Sequence, residues 1–242
     1  MQTGLYVALS AQLSLQRRLD TIANNVANSS TAGFRAEEVK FSSLLSQTAR
    51  EPVAFASTGE SFLSRKSGEV VRTDGPLDVA VEGDAWLAVE SPGSGRVYTR
   101  DGRMQMTETG ELRTLTGGAV LDVGGAPIQL DATAGAPVIA HDGTITQGGR
   151  QVGAIGLFSI DPQAKLTRAD NAGVIPDRPA QPVIDFAKTG MHQGYIERAN
   201  VDPVMEITRL ISVSRAFDAV TNSLNESETS LRDALKTLGS GS

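Results

Sequence analysis

The spacing of apolar residues changes twice along the chain. From Thr3 to Asn28, Leu5, Ala8, Leu15, Leu19, Ile22 and Val26 recur at steps of three and four, with Gln12 in the one polar slot and no glycine beyond Gly4. That period predicts a helix with one apolar face. A second helix is predicted from Asp202-Pro203, an N-cap residue followed by a proline suited to the first turn, and nothing breaks it before Gly239. Its stripe reads Ile207, Leu210, Ser214, Phe217, Thr221, Leu224, Glu228, Leu231, Leu235 and Leu238. From Pro203 to Leu238 this helix would run about 54 Å at 1.5 Å per residue, longer than a domain of this size needs, so it is expected to project. Ser214, Thr221 and Glu228 share one heptad position, which suits packing among several helices better than a single dry seam. Folding of both helices back onto their own core is the alternative.

Between the helices the period shortens to two. Strands are predicted at Leu77 to Val81, Trp86 to Val89, Val97 to Thr99, Arg103 to Thr107, Ala119 to Val123, Pro127 to Leu130, Pro137 to Ala140, Thr144 to Thr146 and Gln151 to Ile160. Asp101-Gly102, Asp142-Gly143, Gly117-Gly118 and Gly124-Gly125 read as hairpin turns, because glycine adopts positive φ cheaply. The expected class is α+β. Long N- and C-terminal helices, 1–30 with 200–242, form a coiled-coil-like inner domain; 31–72, with Ser/Thr runs and Pro52, is an extended connector; 73–196 is a mainly antiparallel β-rich outer domain.

Composition narrows the function. The 242 residues are 40% hydrophobic, enough for a core, and carry a net charge of -6, so nucleic acid is not an expected partner. The acidity sits in the middle: residues 1–72 carry +2, 73–196 carry -6 and 197–242 carry -2. Without cysteine, a disulfide framework, a thiol nucleophile and a Cys/His zinc site are excluded. No apolar run approaches the ~18 residues of a membrane span, and membrane insertion is not expected. Arg17 and Arg18 follow the first apolar segment instead of preceding it, so no cleaved signal peptide is expected.

Candidate chemistry is sparse. His141-Asp142 lies in a hairpin signal, and neighbours on a strand point to opposite faces, which argues against a catalytic pair. His192 has no second histidine at helical or strand spacing, and Asp74, Asp78, Glu82 and Asp84 lack a calcium-loop pattern, so no metal site is assigned. No phosphate loop or serine elbow occurs. No catalytic residue, cofactor or small-molecule substrate is therefore expected. The most unusual stretch ends the first helix: Asn24, Asn25 and Asn28, then Thr31-Ala32-Gly33-Phe34-Arg35. Asparagine is a poor helix former that serves helix ends and turns, and Gly33-Phe34 reads as a turn delivering a buried aromatic anchor.

These residues carry a resemblance. The run Ala23 to Asn28 with Thr31-x-Gly33-Phe34-Arg35 resembles the N-terminal signature of the bacterial flagellar rod and hook family. The run Gly194-Tyr195-Ile196-Glu197-Arg198-Ala199-Asn200-Val201-Asp202-Pro203-Val204 is similar to its second signature, ahead of a long helix. Val81 to Val89, Val97 to Arg103 and Gly110-Glu111-Leu112 are similar to the β-domain shared by its rod proteins. The matches stand in the right order and cover most of the chain. Arg198-Ala199 replaces a usual Gly-Ser, and Ala85-Trp86-Leu87 stands where aromatic residues are usual.

The resemblance implies a non-enzymatic structural subunit of the basal-body rod in the periplasm. It would be exported uncleaved by the flagellar type III apparatus, with copies of itself and other axial proteins as partners. Its subunit interface would be the helical stripes Leu5, Leu15, Leu19, Ile22, Val26, Ile207, Leu210, Phe217, Leu224, Leu231, Leu235 and Leu238. Asn24, Asn25, Asn28, Thr31, Gly33 and Phe34, with Asn200, Asp202 and Pro203, would shape the connector and cap the second helix. The length is too short for the hook protein, and the N-terminal segment favours the proximal over the distal rod. Two alternatives stay open: a distal-rod or hook-like subunit, and a secreted carbohydrate-binding or degrading β-domain with Trp86 and Tyr98 lining a sugar site and helices for dimerisation.

Overall fold

The computed structural model describes residues 2–40, 43–46, 53–56, 59–170 and 172–239. The chain divides into two compact units, one of 1–27, 37–62 and 202–242, the other of 28–36 and 63–201. The stretch 31–72 is shared between them and holds paired strands.

In the first unit, α1 (Gln2–Ala27) packs along α2 (Pro203–Gly239). At 37 residues, α2 is about 55 Å long. Pro203 stands first in the helix, and Asp202 Oδ1 accepts the backbone N–H groups of Val204 and Met205 at 3.0 and 3.1 Å, satisfying two donors that no helical carbonyl reaches. Glu37–Lys40 pairs with Glu60–Leu63, and Ser43–Ser46 with Val53–Ala56. α1 rests on Glu37–Lys40 and Val53–Ala56.

The two apolar stripes face one another within the chain. Gln12 Nε2 donates to Thr221 Oγ1 at 3.3 Å, so the polar slots of the two stripes answer each other. Ile22 is buried and Leu15, Leu19, Val26, Leu210, Phe217 and Leu224 are half-buried. Ile207 departs from this: it is 46% exposed, while Glu206 and Val213 are buried. The steps of three and four are met equally by either flank of the Leu210-Phe217-Leu224 row, and packing selects the side carrying Val213. The side chains of Leu5, Leu231, Leu235 and Leu238 lie outside the described residues.

The second unit is built on the strand Ala85–Ser91, whose seven residues are buried except Glu90. It pairs antiparallel with Gly95–Thr99 on one edge and with Leu157–Ser159 and Ala119–Val120 on the other. Covered on both faces, it reads as an unbroken apolar run, Trp86-Leu87-Ala88-Val89. The sheet runs Leu166–Arg168, Val174–Pro176, Gly95–Thr99, Ala85–Ser91, Ala119–Val120, Leu112–Thr114, Met104–Met106. Beside it lie the three-stranded sheet Val138–Ile139, Thr144–Gln147, Arg150–Ala154 and the ladders Gly190–Gln193 with Val79–Glu82 and Tyr195–Glu197 with Val70–Arg72.

The architecture is α+β with antiparallel pairing. Three local expectations change, the first at Pro127 to Leu130, which makes isolated bridges at Pro127 and Gln129 and no strand. The run Gln151 to Ile160 splits into two strands in different sheets at Ile155-Gly156; a Cβ at Gly156 would stand 2.7 Å from the Asp122 carbonyl carbon, so a close backbone passage makes the break. Asp101-Gly102 is not a hairpin, since Gly95–Thr99 and Met104–Met106 are not neighbours. Gly102 serves a close approach instead, as a Cβ there would fall 1.8 Å from the Val79 carbonyl oxygen. Gly117, Gly125 and Gly143 do hold positive φ in tight turns. No helix among the described residues is long and apolar enough to cross a membrane.

Candidate functional site

The segments that carry the N-terminal and C-terminal signatures converge on Glu197, in the second unit. After α1 the backbone turns at Asn28, whose carbonyl accepts Thr31 N–H at 3.0 Å, and Thr31 in turn accepts Phe34 N–H at 3.3 Å. Gly33 stands at φ +68, where a Cβ would lie 2.2 Å from Asp101 N; only glycine lets the turn press against the 100–101 backbone. Gly33 N–H donates to the Glu197 carbonyl at 2.8 Å.

Glu197 is fully buried, between two arginines that are each 2% exposed. Its Oε1 pairs with an Arg35 terminal guanidinium nitrogen at 2.6 Å and its Oε2 with Arg100 Nε at 2.7 Å. Gly68 N–H adds a third bond to Oε1 at 2.7 Å. Arg100 spends its remaining nitrogens on the carbonyls of Val81, Gly83 and Ala85. Arg35 lies over Trp86, 5.5 Å from its ring centroid, and Arg168 lies over Phe34 at 4.2 Å while donating to the Arg35 carbonyl. Burial pushes the Arg35 guanidinium down to about 10, opposed by the charge of Glu197 and assisted by that of Arg100, and at that value it stays charged at neutral pH. One carboxylate thus holds two desolvated cations, an arrangement that survives only with every partner present.

Asn200 closes the junction. Its Oδ1 accepts Ala36 N–H at 2.6 Å, its Nδ2 donates to the Lys66 carbonyl at 2.8 Å, and its own N–H reaches the Phe34 carbonyl at 3.2 Å. Phe34 is buried. In the helical unit, Asn25 is buried and pairs with the Glu37 backbone in both directions at 2.9 Å. Asn24 is half-buried near the same helix end. These residues fix backbone; none is arranged as an acid–base pair.

Sequence reasoning named Asn25, Gly33, Phe34 and Asn200 and missed Arg35, Arg100 and Glu197 as a unit. Each of the three lies in a different matched motif, but Arg100 stands among Asp101 and Arg103 and Glu197 among Arg198 and Asp202, so no local signal singles them out as partners. Trp86 and Tyr98, which a sugar site needs at the surface, are 3% and 8% exposed and pack with Leu121, Phe158 and Val174. The carbohydrate alternative falls on that burial. The acidic set disperses as well: Asp74 pairs with Arg72 and Asp78 accepts Thr73, whereas Glu82 meets His141 and His192, residues far apart in sequence.

The helices keep a second apolar face in the open. Tyr6, Leu9 and Leu13 on α1, and Val204, Ile207 and Ile211 on α2, are exposed at steps of three and four, in α1 on the side opposite Leu15, Leu19 and Ile22.

Comparison with known proteins gives three family matches. Residues 5–35 match the family described as flagella basal body rod protein, 80–147 the flagellar hook protein FlgE/F/G D1 domain, and 192–237 the flagellar basal body rod FlgEFG protein C-terminal. The chain is 49% identical over 242 residues to the flagellar basal-body rod protein FlgF of Mesorhizobium japonicum, covering 100% of both. It is 49% identical over 239 residues to that of Rhizobium meliloti, covering 99% of both. Against the flagellar basal-body rod protein FlgG of Bacillus subtilis the identity is 28% over 261 residues, covering 96% of this chain and 98% of the relative.

Proposed function

The chain belongs to the flagellar basal-body rod protein family, and from that premise we propose that it is a structural subunit of the proximal rod, built into a hollow shaft through its two terminal helices. The end-to-end likeness to proteins named FlgF, against the lower identity to one named FlgG, supports the proximal position. The partners are further copies of the chain and other axial proteins, and the place of work is the flagellar basal body. Export by the flagellar type III apparatus without cleavage completes this reading.

The observation that carries the mechanism is the exposed apolar face of the helical unit. In one chain the stripes Leu15, Leu19, Ile22, Val26 and Leu210, Phe217, Leu224 cover one another, in a coiled-coil-like pair. Tyr6, Leu9, Leu13, Val204, Ile207 and Ile211 then remain for neighbouring subunits. A head-to-tail contact of this kind need not close, so it grows into a filament in which torque passes through many packed helices. Two substitutions test this, Leu13→Asp and Ile211→Asp. Each is expected to leave the circular dichroism of the purified chain unchanged and to remove the subunit from isolated basal bodies, with loss of swimming. Normal incorporation of both variants would refute the assignment of this face.

A further inference from the structure

The second unit carries a cluster that the structural role leaves unused. Glu82 ends the strand Val79–Glu82, His192 stands in the neighbouring strand Gly190–Gln193, and His141 sits at the tip of the hairpin joining Val138–Ile139 to Thr144–Gln147. His192 pairs with Ala80 and Gly190 with Glu82, so His192 and Glu82 are diagonal neighbours on one face of the ladder. Both imidazole Nε2 atoms point at the same oxygen: Glu82 Oε2 is 2.8 Å from His192 and 3.4 Å from His141. One nitrogen from each histidine and one carboxylate oxygen all lie within 4.8 Å of one another.

From this juxtaposition we propose that Glu82, His141 and His192 form a binding site for one divalent transition-metal ion of the zinc, cobalt or nickel kind. Ligand atoms held ~2.0–2.2 Å from a tetrahedral ion stand roughly 3.3–3.5 Å apart, so the three groups reach that spacing by small side-chain rotations. Two imidazoles and one carboxylate suit these borderline ions better than calcium or magnesium, which demand more oxygen ligands. All three side chains are about half exposed, and the remaining coordination positions are open to water.

The backbone holds the histidines ready. A Cβ at Gly190 would lie 2.2 Å from His141 Cε1 and Nε2, so the ring rests where only a glycine leaves room. The His141 carbonyl accepts Met191 N–H at 2.8 Å, which fastens the hairpin tip beside His192. Asp142 Oδ1 accepts Thr144 N–H at 3.0 Å and shapes that tip. The two rings meet edge to face with centroids 5.8 Å apart, and His192 is braced by Tyr195 at 6.4 Å. A bound ion would clamp the hairpin to the ladder.

The test uses the untagged full chain, stripped with a chelator and titrated with cobalt(II) and with zinc(II) in competition with a chromophoric chelator. The expected result is one ion per chain, a visible cobalt spectrum of a four- or five-coordinate site, and a rise in unfolding temperature with zinc. His141→Ala and His192→Ala are each expected to weaken binding at least ~10-fold. Gly190→Ala keeps every ligand but displaces the His141 ring, and is expected to weaken binding as well, its fold being checked by circular dichroism. Zinc and cobalt binding equal in the wild type and a His141→Ala/His192→Ala double variant would overturn the proposal, as would no binding to the wild type.

Discussion

Replacing Glu197 by glutamine keeps its shape and removes its charge. The substitution leaves Arg35 and Arg100, each 2% exposed, as two neighbouring cations without the carboxylate that pairs with both. At an effective dielectric constant near 20, each lost pair is worth roughly 4 kcal/mol of gross attraction. Part of this is already spent on desolvation, and the glutamine oxygen still accepts one bond. Removing one partner from such a buried network costs about 3–5 kcal/mol. At ~2–4 °C per kcal/mol for a domain of this size, the unfolding temperature should fall by roughly 6–20 °C. Trp86 is the only tryptophan and sits 5.5 Å from the Arg35 guanidinium, so its fluorescence reports the affected region in a thermal or urea melt. Arg178→Gln is the comparison, because the Arg178–Asp161 pair is about half exposed and solvent screening leaves such a pair little to contribute. A Glu197→Gln protein within about 1 kcal/mol of the wild type would refute the claim that this carboxylate holds the junction together.

Gly33→Ala adds a methyl 2.2 Å from Asp101 N at φ +68 and should cost roughly 2–5 kcal/mol in urea unfolding, from left-handed strain and from the clash; Gly93→Ala, at φ +90 with open space around it, should show only the strain. Asp202→Ala removes the acceptor for two N–H groups of α2 and is expected to lower helix stability by about 1 kcal/mol in far-UV circular dichroism melts. Asp131 is held below the usual carboxylate range by the Thr133 hydroxyl and N–H, and Asp161 by the Gln163 N–H and the Arg178 guanidinium. Because their folded values are lowered, their contribution is complete above about pH 4 and lost as pH falls through those values. A urea midpoint series below pH 4 should therefore be flatter for an Asp131→Asn/Asp161→Asn protein than for the wild type, and equal slopes would refute the assignment.

Local pattern made the helices and the central strand legible. α1 and α2 follow from uninterrupted three-four spacing and from Asp202-Pro203, and Ala85–Ser91 from its apolar run. What local pattern does not encode is which of two equivalent faces is chosen, hence Ile207 outside and Val213 inside. Nor does it show whether an Asp-Gly pair turns the chain or, like Gly102, lets one backbone pass another. The junction was half legible: Gly33, Phe34 and Asn200 stand in unusual local sequence, whereas Arg35, Arg100 and Glu197 look like surface charges until the fold assembles them. The meeting of His141 with His192 is of the same kind, since the bond from Met191 N–H to the His141 carbonyl sets a hairpin tip of one sheet beside the ladder of another, and no spacing within one strand shows it.

The hydrogen bond from Ala36 to Asn200 spans 164 positions of sequence, and this separation sets an order in time. A chain delivered N-terminus first can form α1 early, but the pocket for Arg35 lacks its carboxylate until Glu197 arrives. Closing so long a loop is slow and gives nothing back until the last contacts form. Chains ending before Glu197 should therefore show no cooperative Trp86 fluorescence transition, and a sharp one would contradict this order. The contacts around Glu197 thus tie the cooperativity of the second unit to the last residues before α2, and a chain that lacks them is expected to stay open there.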